Sequence, residues 1–142
     1  MFTNPPMRDI EALLRRTRII AVVGLSAEPN KPSHRVARQL QLRGYRIIPV
    51  TPAVREVLGE RSVPDLDHLG DALSEGQKVD IVEVFRRPEH VAAIANDCIR
   101  LKLPALWLQD DVIDDAAAQR ARDAGIFTVM NRCIHRDLTA LG

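Results

Sequence analysis

Short apolar runs alternate with longer segments of helical periodicity along almost the whole chain. The runs have the length of strands, and the segments between them have the length of helices. The predicted strands are residues 18–24, 45–50, 79–85, 105–108 and 126–130. The predicted helices are residues 7–16, 32–43, 88–102, 114–124 and 132–141, and residues 55–73 are irregular apart from a short helical turn at 66–69. This alternation constrains the chain to an α/β fold with a parallel sheet.

The handedness of crossover connections limits the topology further. Crossovers between parallel strands are right-handed, so helices are expected on both faces of the five-stranded sheet. The simplest arrangement is a doubly wound, Rossmann-like sheet with the strand order 3-2-1-4-5. Ligands bind such sheets beyond the carboxyl ends of the strands, so we expect the functional residues in the loops that follow the five strands.

Size and charge exclude several classes of function. The 142 residues, 46% of them hydrophobic, predict one domain over residues 1–142, with residues 1–17 as an N-terminal helical extension. A net charge of +1 provides no field for nucleic acid. No apolar stretch approaches the roughly 20 residues that span a bilayer, residues 1–18 lack an apolar signal core, and two cysteines make no disulfide framework. We therefore expect a cytoplasmic protein without nucleic-acid or membrane partners.

The loop after the first strand predicts a phosphate-binding site. Its glycine allows a tight exit from the strand, a serine hydroxyl and a lysine suit an anion, and the first helical turn offers free N–H groups. The residues predicted to hold the phosphates are Gly24, Ser26, Lys31, Pro32, Ser33 and His34. The sequence is neither G-x-G-x-x-G nor a Walker A loop. The alternative is a plain strand–helix connection with His34 at the surface.

The loop after the second strand distinguishes between nucleotides. It contains Val50, Thr51 and Pro52, and it lacks the carboxylate with which NAD-binding enzymes hold the ribose. We expect these three residues to line an adenosine. NADP is an alternative ligand, because the positive charge of Arg55 or Lys31 could contact a phosphate on the ribose. The alternative is a turn that simply ends at proline.

Phe85, Arg86 and Arg87 follow the third strand, just before a predicted helix. Arginine suits bidentate contact with phosphate, so these residues are expected to border the ligand. The alternative is that one arginine forms a surface ion pair with Glu83 or Glu89.

The sequence contains few candidates for catalysis. Asp110 and Asp111 precede a helix and are interpreted as capping or solvated residues. Cys133 follows the fifth strand and could be a nucleophile if Arg132 or His135 favoured its thiolate, but the interpretation we favour is a structural or merely accessible thiol. The histidines lack metal-ligand spacing. We therefore predict no catalytic residue and no metal site.

Six segments, taken in order, resemble a known family. They are residues 20–26, 31–40, 44–52, 79–89, 105–109 and 130–133. Together they resemble the stand-alone coenzyme A-binding domains, which are single-domain relatives of the coenzyme A-binding domain of the succinyl-CoA synthetase alpha subunit. The resemblance implies a Rossmann-like fold with coenzyme A as ligand. Asp110 and Asp111 depart from the family pattern by adding negative charge near the crevice, and Asn131 stands where an aspartate is usual.

The family resemblance also implies roles for the loops. Gly24, Ser26 and residues 31–34 would hold the pyrophosphate, residues 50–52 would line the adenosine, and Phe85 with Arg86 would close the other side of the crevice. The leading hypothesis is thus a non-catalytic binder of coenzyme A or an acyl-CoA, with this small nucleotide as its partner. The alternatives are an NADP-dependent or thioester-handling enzyme that uses Cys133, and a nucleotide-sensing module that acts through a partner or as a homodimer.

Overall fold

A five-stranded parallel sheet with helices on both faces organises the computed structural model, which describes residues 1–142. The strands are β1 (Ile19–Val23), β2 (Arg46–Val50), β3 (Glu56–Val57), β4 (Glu60–Arg61), β5 (Ile81–Val84), β6 (Ala105–Leu108) and β7 (Phe127–Met130). The helices are α1 (Met7–Arg16), α2 (Pro32–Leu42), α3 (Val91–Arg100), α4 (Asp115–Asp123) and α5 (Ile134–Leu141), with 3₁₀ helices at Leu66–Ala72 and Pro88–His90. None of these helices combines the length and the apolar character that crossing a membrane requires.

The α/β class with a doubly wound parallel sheet is confirmed, and the strand order is β2-β1-β5-β6-β7. Counted along the chain, these five strands stand in the order 2-1-3-4-5, so the third strand lies against β1 and not beyond β2 as in the order 3-2-1-4-5. The outer edge of β2 is already occupied. The Val63 amide donates to the Pro49 carbonyl at 2.9 Å, and the Thr51 amide donates to the Val63 carbonyl at 2.8 Å. The reversal of strand order therefore falls between β1 and β5.

Two apolar cores cover the two faces of the sheet. Every residue of β1 is buried, as a continuous apolar strand with helices on both sides requires. One face packs against α1, α2 and α5, with Leu40 and Trp107 among its fully buried side chains. The other face packs against α3, α4 and the 3₁₀ helix Leu66–Ala72. The segment predicted as irregular contains this 3₁₀ helix and the β3–β4 hairpin, whose strands were too short to be recognised from periodicity.

The residues before α1 lie against the free edge of β7. The side chain of Asn4 acts there as a substitute for a neighbouring strand, because its Oδ1 accepts from the Met130 amide at 2.8 Å and its Nδ2 donates to the Met130 carbonyl at 2.9 Å. Phe2 is buried beside it, with the Arg122 guanidinium 4.0 Å from its ring centre. Such a cover protects an edge strand from pairing with another chain.

Replacing Asn4 by alanine should lower the free energy of unfolding by about 1–2 kcal/mol, because two hydrogen bonds to partly buried backbone groups are lost. Urea denaturation followed by circular dichroism measures the change. Asn30→Ala, in an exposed loop, is the matched control and should change stability by less than about 0.5 kcal/mol. Equal effects of the two substitutions would show that Asn4 does not secure this edge.

Candidate functional site

Two adjoining cavities open at the carboxyl ends of β1 and β5, where the strand order reverses. Their volumes are about 700 and 610 Å³. We call the first the Cys133 arm, since it extends past the start of α2 to Gln109 and Cys133. We call the second the Thr51 arm, since it extends to residues 51–54 after β2. The walls that both arms share are Gly24, Ser26, Phe85, Arg86 and Arg87. The two arms therefore form one elongated cleft with its centre at the end of β1.

Gly24 brings the loops after β1 and β5 into contact at the centre of the cleft. Its φ is +83°, and its amide donates to the Val50 carbonyl at 3.0 Å. A Cβ atom built on Gly24 would lie 2.4 Å from the Phe85 carbonyl oxygen and 2.8 Å from Arg86 Cδ. Only glycine meets both conditions, a left-handed backbone and direct backbone contact. The predicted tight exit from the first strand is thus present.

The start of α2 forms one wall of the Cys133 arm. Lys31 is the N-cap residue, its side chain makes no capping hydrogen bond, and the first turn contains no acidic residue. The Ser33 amide has no acceptor within the protein, whereas the His34 amide donates to the Lys31 carbonyl at 3.1 Å. The helix therefore presents an uncompensated positive dipole and a free N–H group toward the cavity.

Two serines, one in the loop before α2 and one in the first turn of α2, hold this loop in place. The Ser26 amide donates to Ser33 Oγ at 3.0 Å, and Ser26 Oγ accepts from the Glu28 amide at 3.1 Å. The Ser26 amide is thus used inside the loop, while the amides of Leu25 and Ala27 have no acceptor in the protein. Both serine hydroxyls keep their protons available for donation to a ligand.

The cleft has an excess of unpaired positive charge. Lys31, Arg86 and Arg87 are exposed on its walls and form no ion pair. Of the two carboxylates expected to oppose an anion, Asp110 is compensated, because it accepts two hydrogen bonds from Arg136, at 2.8 and 3.0 Å. The same guanidinium holds the pKa of Asp110 below its ordinary value. Asp111 is exposed on the wall without an ion pair, so positive charge still exceeds negative charge there. The cleft is therefore electrostatically suited to an anion.

Two of the predicted site residues lie outside the lining of the cleft. Val50 is buried in the core, and only its carbonyl takes part, as the acceptor for Gly24. His34 is half-buried on α2 and borders neither arm. The structure brings the others together around the cleft: Gly24, Ser26, Lys31, Pro32, Ser33, Thr51, Pro52, Phe85, Arg86 and Arg87. Sequence reasoning did not single out Arg35, Val36 or Gln109. Arg35 and Val36 lie within α2, which no strand-end rule marks, whereas Gln109 follows β6 and was passed over within a loop that the rule does mark.

The segment that carries Cys133 is fixed from two sides. Trp107 Nε1 donates to the Arg132 carbonyl at 2.9 Å, and Gln109 Oε1 accepts from the Ile134 amide at 3.3 Å. The Arg132 guanidinium donates to both carboxylate oxygens of Asp137, at 2.7 and 2.8 Å, so it is already paired and does not serve the Cys133 thiol. Cys133 itself is half-buried at the N-cap of α5 and lines the cleft.

Glu83, which one alternative in the sequence analysis placed in a surface ion pair, lies in the core. Glu83 is fully buried in β5 and forms no ion pair with an arginine, so the alternative of a surface pair was wrong for this residue. Neither of its carboxyl oxygens has a hydrogen-bond partner. Burial raises the pKa of Glu83 well above its ordinary value, and the negative charges of Cys133, Asp110 and Asp137 raise it further. The signal in the sequence was a glutamate inside a strand that is buried on both faces.

Comparisons with known proteins agree in both sequence and structure. Residues 18–139 match the sequence model of a family described as a CoA binding domain. The chain is 36% identical over 131 residues to the uncharacterized protein YneT of Bacillus subtilis (strain 168), covering 92% of this chain and 93% of that protein. A structure from Thermus thermophilus superposes with a TM-score of 0.86 at 30% identity, covering 97% of this chain and 100% of the other. A hypothetical protein from Pyrococcus horikoshii OT3 gives 0.85 at 29% identity and full coverage of both chains.

Proposed function

Because this chain belongs to the CoA binding domain family, we propose that it binds coenzyme A or an acyl-CoA through the adenosine-diphosphate half of the ligand. The single observation that carries this proposal is the two-armed cleft, whose shared walls combine a glycine, a serine hydroxyl and two unpaired arginines. A ligand with an anionic centre and two different ends fits such a shape.

The diphosphate belongs at the shared walls, beside Gly24 and the start of α2. There the free Ser33 amide, the hydroxyl of Ser26 and the positive end of the helix dipole supply donors for phosphate oxygens. Lys31 and Arg86 add charge-assisted contacts, which are shorter and stronger than neutral hydrogen bonds. No protein carboxylate has to be displaced from Lys31 or Arg86, since neither forms an ion pair.

The two ends of the ligand are assigned to the two arms. The Thr51 arm, with Thr51 and Pro52 after β2, receives the adenosine, and Arg87 on the shared wall is within the same cavity for a phosphate on the ribose. The Cys133 arm receives the pantetheine chain. In this orientation the reactive sulfur of the ligand points away from the nucleotide and toward β6 and β7.

We further propose that the protein binds its ligand without turnover. Three acidic groups in or near the cleft are engaged in structure: Asp110 pairs with Arg136, Asp114 caps α4 through the Ala117 amide at 3.0 Å, and Asp137 holds Arg132. These three carboxylates are poor general bases, because a hydrogen-bond donor or a paired arginine stabilises the ionised form of each.

Isothermal titration calorimetry with coenzyme A, dephospho-coenzyme A and NADP tests the proposed function. We expect the tightest binding for coenzyme A and weaker binding for the dephospho form, because the arginines lose a phosphate partner. The absence of heat with coenzyme A at millimolar concentration would refute the proposal. Tighter binding of NADP than of coenzyme A would instead favour the NADP-dependent enzyme.

Arg86→Ala should weaken coenzyme A binding about tenfold, since one charge-assisted contact is worth roughly 1.5 kcal/mol. The side chain of Arg86 reaches across Gly24 at the centre of the cleft. Titration of the variant measures the change, and Arg38→Ala is the matched control, because Arg38 is an exposed arginine of α2 outside both arms. The same loss in both variants would mean that net charge alone, and not Arg86, sets the affinity.

A further inference from the structure

We propose that Cys133 is a thiol–disulfide exchange site that takes the sulfur end of a coenzyme A disulfide bound in the cleft. This inference rests on the proposed function for the orientation of the ligand. It adds a covalent site, a substrate class and a product. The product is a mixed disulfide between Cys133 and coenzyme A.

The placement of Cys133 is the first support. Its thiol lines the same cavity as Lys31 and Ser33, at the end remote from the Thr51 arm, and it is half-buried. The hydrogen bonds from Trp107 and to Gln109 fix the backbone on either side of Cys133, so the residue that carries the thiol is held at the cleft. A positioned thiol reacts with a bound partner as if at a greatly raised concentration.

Glu83 is the second and independent support. It lies beneath the cleft on the same face of β5 as Ile81 and Phe85, and Phe85 forms a wall of the cleft. The carboxyl group is fully buried and has no hydrogen-bond partner. Buried polar groups without a partner are rare in native proteins. Burial keeps it as the neutral acid, which has a proton to donate and lacks an acceptor. Cys133 is the acidic group that acts most strongly on this carboxyl, so a negative charge that develops on its sulfur would have a neutral polar group beneath it.

The groups that face Glu83 restrict where a negative charge can be placed. The other charged groups near it are Asp110 and Asp137, and each is compensated by its arginine, Arg136 and Arg132. Cys133 is therefore the one acidic group near Glu83 that is not paired with an arginine. Because Glu83 is neutral, a thiolate at Cys133 meets no negative charge from the core below it.

The exchange is balanced without any further oxidant. The Cys133 sulfur attacks one sulfur of the coenzyme A disulfide, a new S–S bond forms to that sulfur, and the original S–S bond breaks. The second coenzyme A leaves as a thiolate and takes up the proton that Cys133 releases. The disulfide is the oxidant, so one cysteine thiol is oxidised while one coenzyme A thiol is formed.

Intact-protein mass spectrometry after incubation with coenzyme A disulfide tests the inference. We expect the mass to increase by one coenzyme A less two hydrogen atoms, and dithiothreitol to reverse the change. The reaction should run at least about tenfold faster than with glutathione disulfide, which lacks the nucleotide that would position it in the cleft. Cys133→Ser should abolish the adduct.

Cys98 provides a matched control within the same chain. It is fully buried in the core, and burial raises the pKa of its thiol to about 12. Cys98→Ala should therefore form the adduct at the rate of the unchanged protein. An adduct that survives Cys133→Ser, or equal rates with the two disulfides, would overturn the inference. Coenzyme A binding without any adduct would overturn it too while leaving the proposed function intact, whereas loss of both would refute both.

Glu83→Leu tests the part assigned to the buried acid. Removal of the neutral acid should slow adduct formation several-fold at neutral pH and move the pH of half-maximal rate upward, because the charge that develops on the Cys133 sulfur loses a nearby polar group. The affinity for coenzyme A, measured by titration, should stay within about twofold, since Glu83 is not part of the lining of either arm. An unchanged pH profile would remove Glu83 from the mechanism.

Discussion

Gly24→Ala should lower the free energy of unfolding by about 3 kcal/mol or more and remove detectable coenzyme A binding. Two costs add at this position. A left-handed backbone costs a residue with a side chain about 1–2 kcal/mol. The added methyl group would also lie 2.4 Å from the Phe85 carbonyl, and relief of such overpacking costs about 1–3 kcal/mol. Because the obstacle is a backbone atom, the loops after β1 and β5 must separate, which changes the centre of the cleft.

Gly44→Ala separates these two costs. Gly44 has a φ of +98°, but a Cβ atom there would meet no atom within 4 Å. The Gly44→Ala variant should therefore lose about 1 kcal/mol of the free energy of unfolding, which is the cost of the left-handed backbone alone, and keep its affinity for coenzyme A. Urea unfolding and calorimetric titration of both variants make the comparison. Equal losses of stability would contradict the role given to the contact between Gly24 and Phe85.

Glu83→Leu should stabilise the protein by about 2 kcal/mol at pH 7, because a fully buried carboxyl group without hydrogen-bond partners is replaced by an apolar side chain of similar size. The gain is measured by urea denaturation. Glu83→Gln is the control for charge: it keeps an unsatisfied polar group and should be less stable than Glu83→Leu, yet it cannot ionise.

The pH dependence of stability is a separate test of whether burial raises the pKa of Glu83. Since the folded-state pKa of Glu83 is raised, the folded protein holds the proton more tightly than the unfolded chain. The resulting stabilisation is complete below the unfolded pKa, about 4.3. It is lost as the pH rises through the folded pKa, at up to about 1.4 kcal/mol per pH unit. Glu83→Gln lacks this decline, so its stability relative to the unchanged protein should improve with rising pH. Parallel pH profiles for the two proteins would show that Glu83 titrates normally.

Local sequence patterns were sufficient to predict the fold class and most of the cleft. Continuous apolar strands such as β1 and amphipathic helices such as α2 are short-range features, and their alternation left few architectures. The rule that ligands lie at strand ends then identified Ser26, Lys31 and Arg86, whose side chains line the cleft. His34 and Val50 were misplaced relative to the lining because a loop position says little about side-chain direction.

The strand order required the tertiary structure. The orders 3-2-1-4-5 and 2-1-3-4-5 can both be made with right-handed crossovers, so the periodicity of the chain does not distinguish them. The pairing of Val63 with the outer edge of β2 selects the second. This order places β5 beside β1 and brings the loop of Phe85 and Arg86 onto Gly24. The centre of the cleft is thus a product of long-range pairing.

The sequence by itself determined that parallel strands and helices alternate and that the strand-end loops carry phosphate-compatible groups, because both follow from neighbours along the chain. Only the tertiary structure decided that Glu83 is buried without a partner, that Arg136 neutralises Asp110, and that Cys133 shares a cavity with Lys31. These facts depend on which distant segments meet, and the free energy of burial and of ion pairing is fixed only when they do.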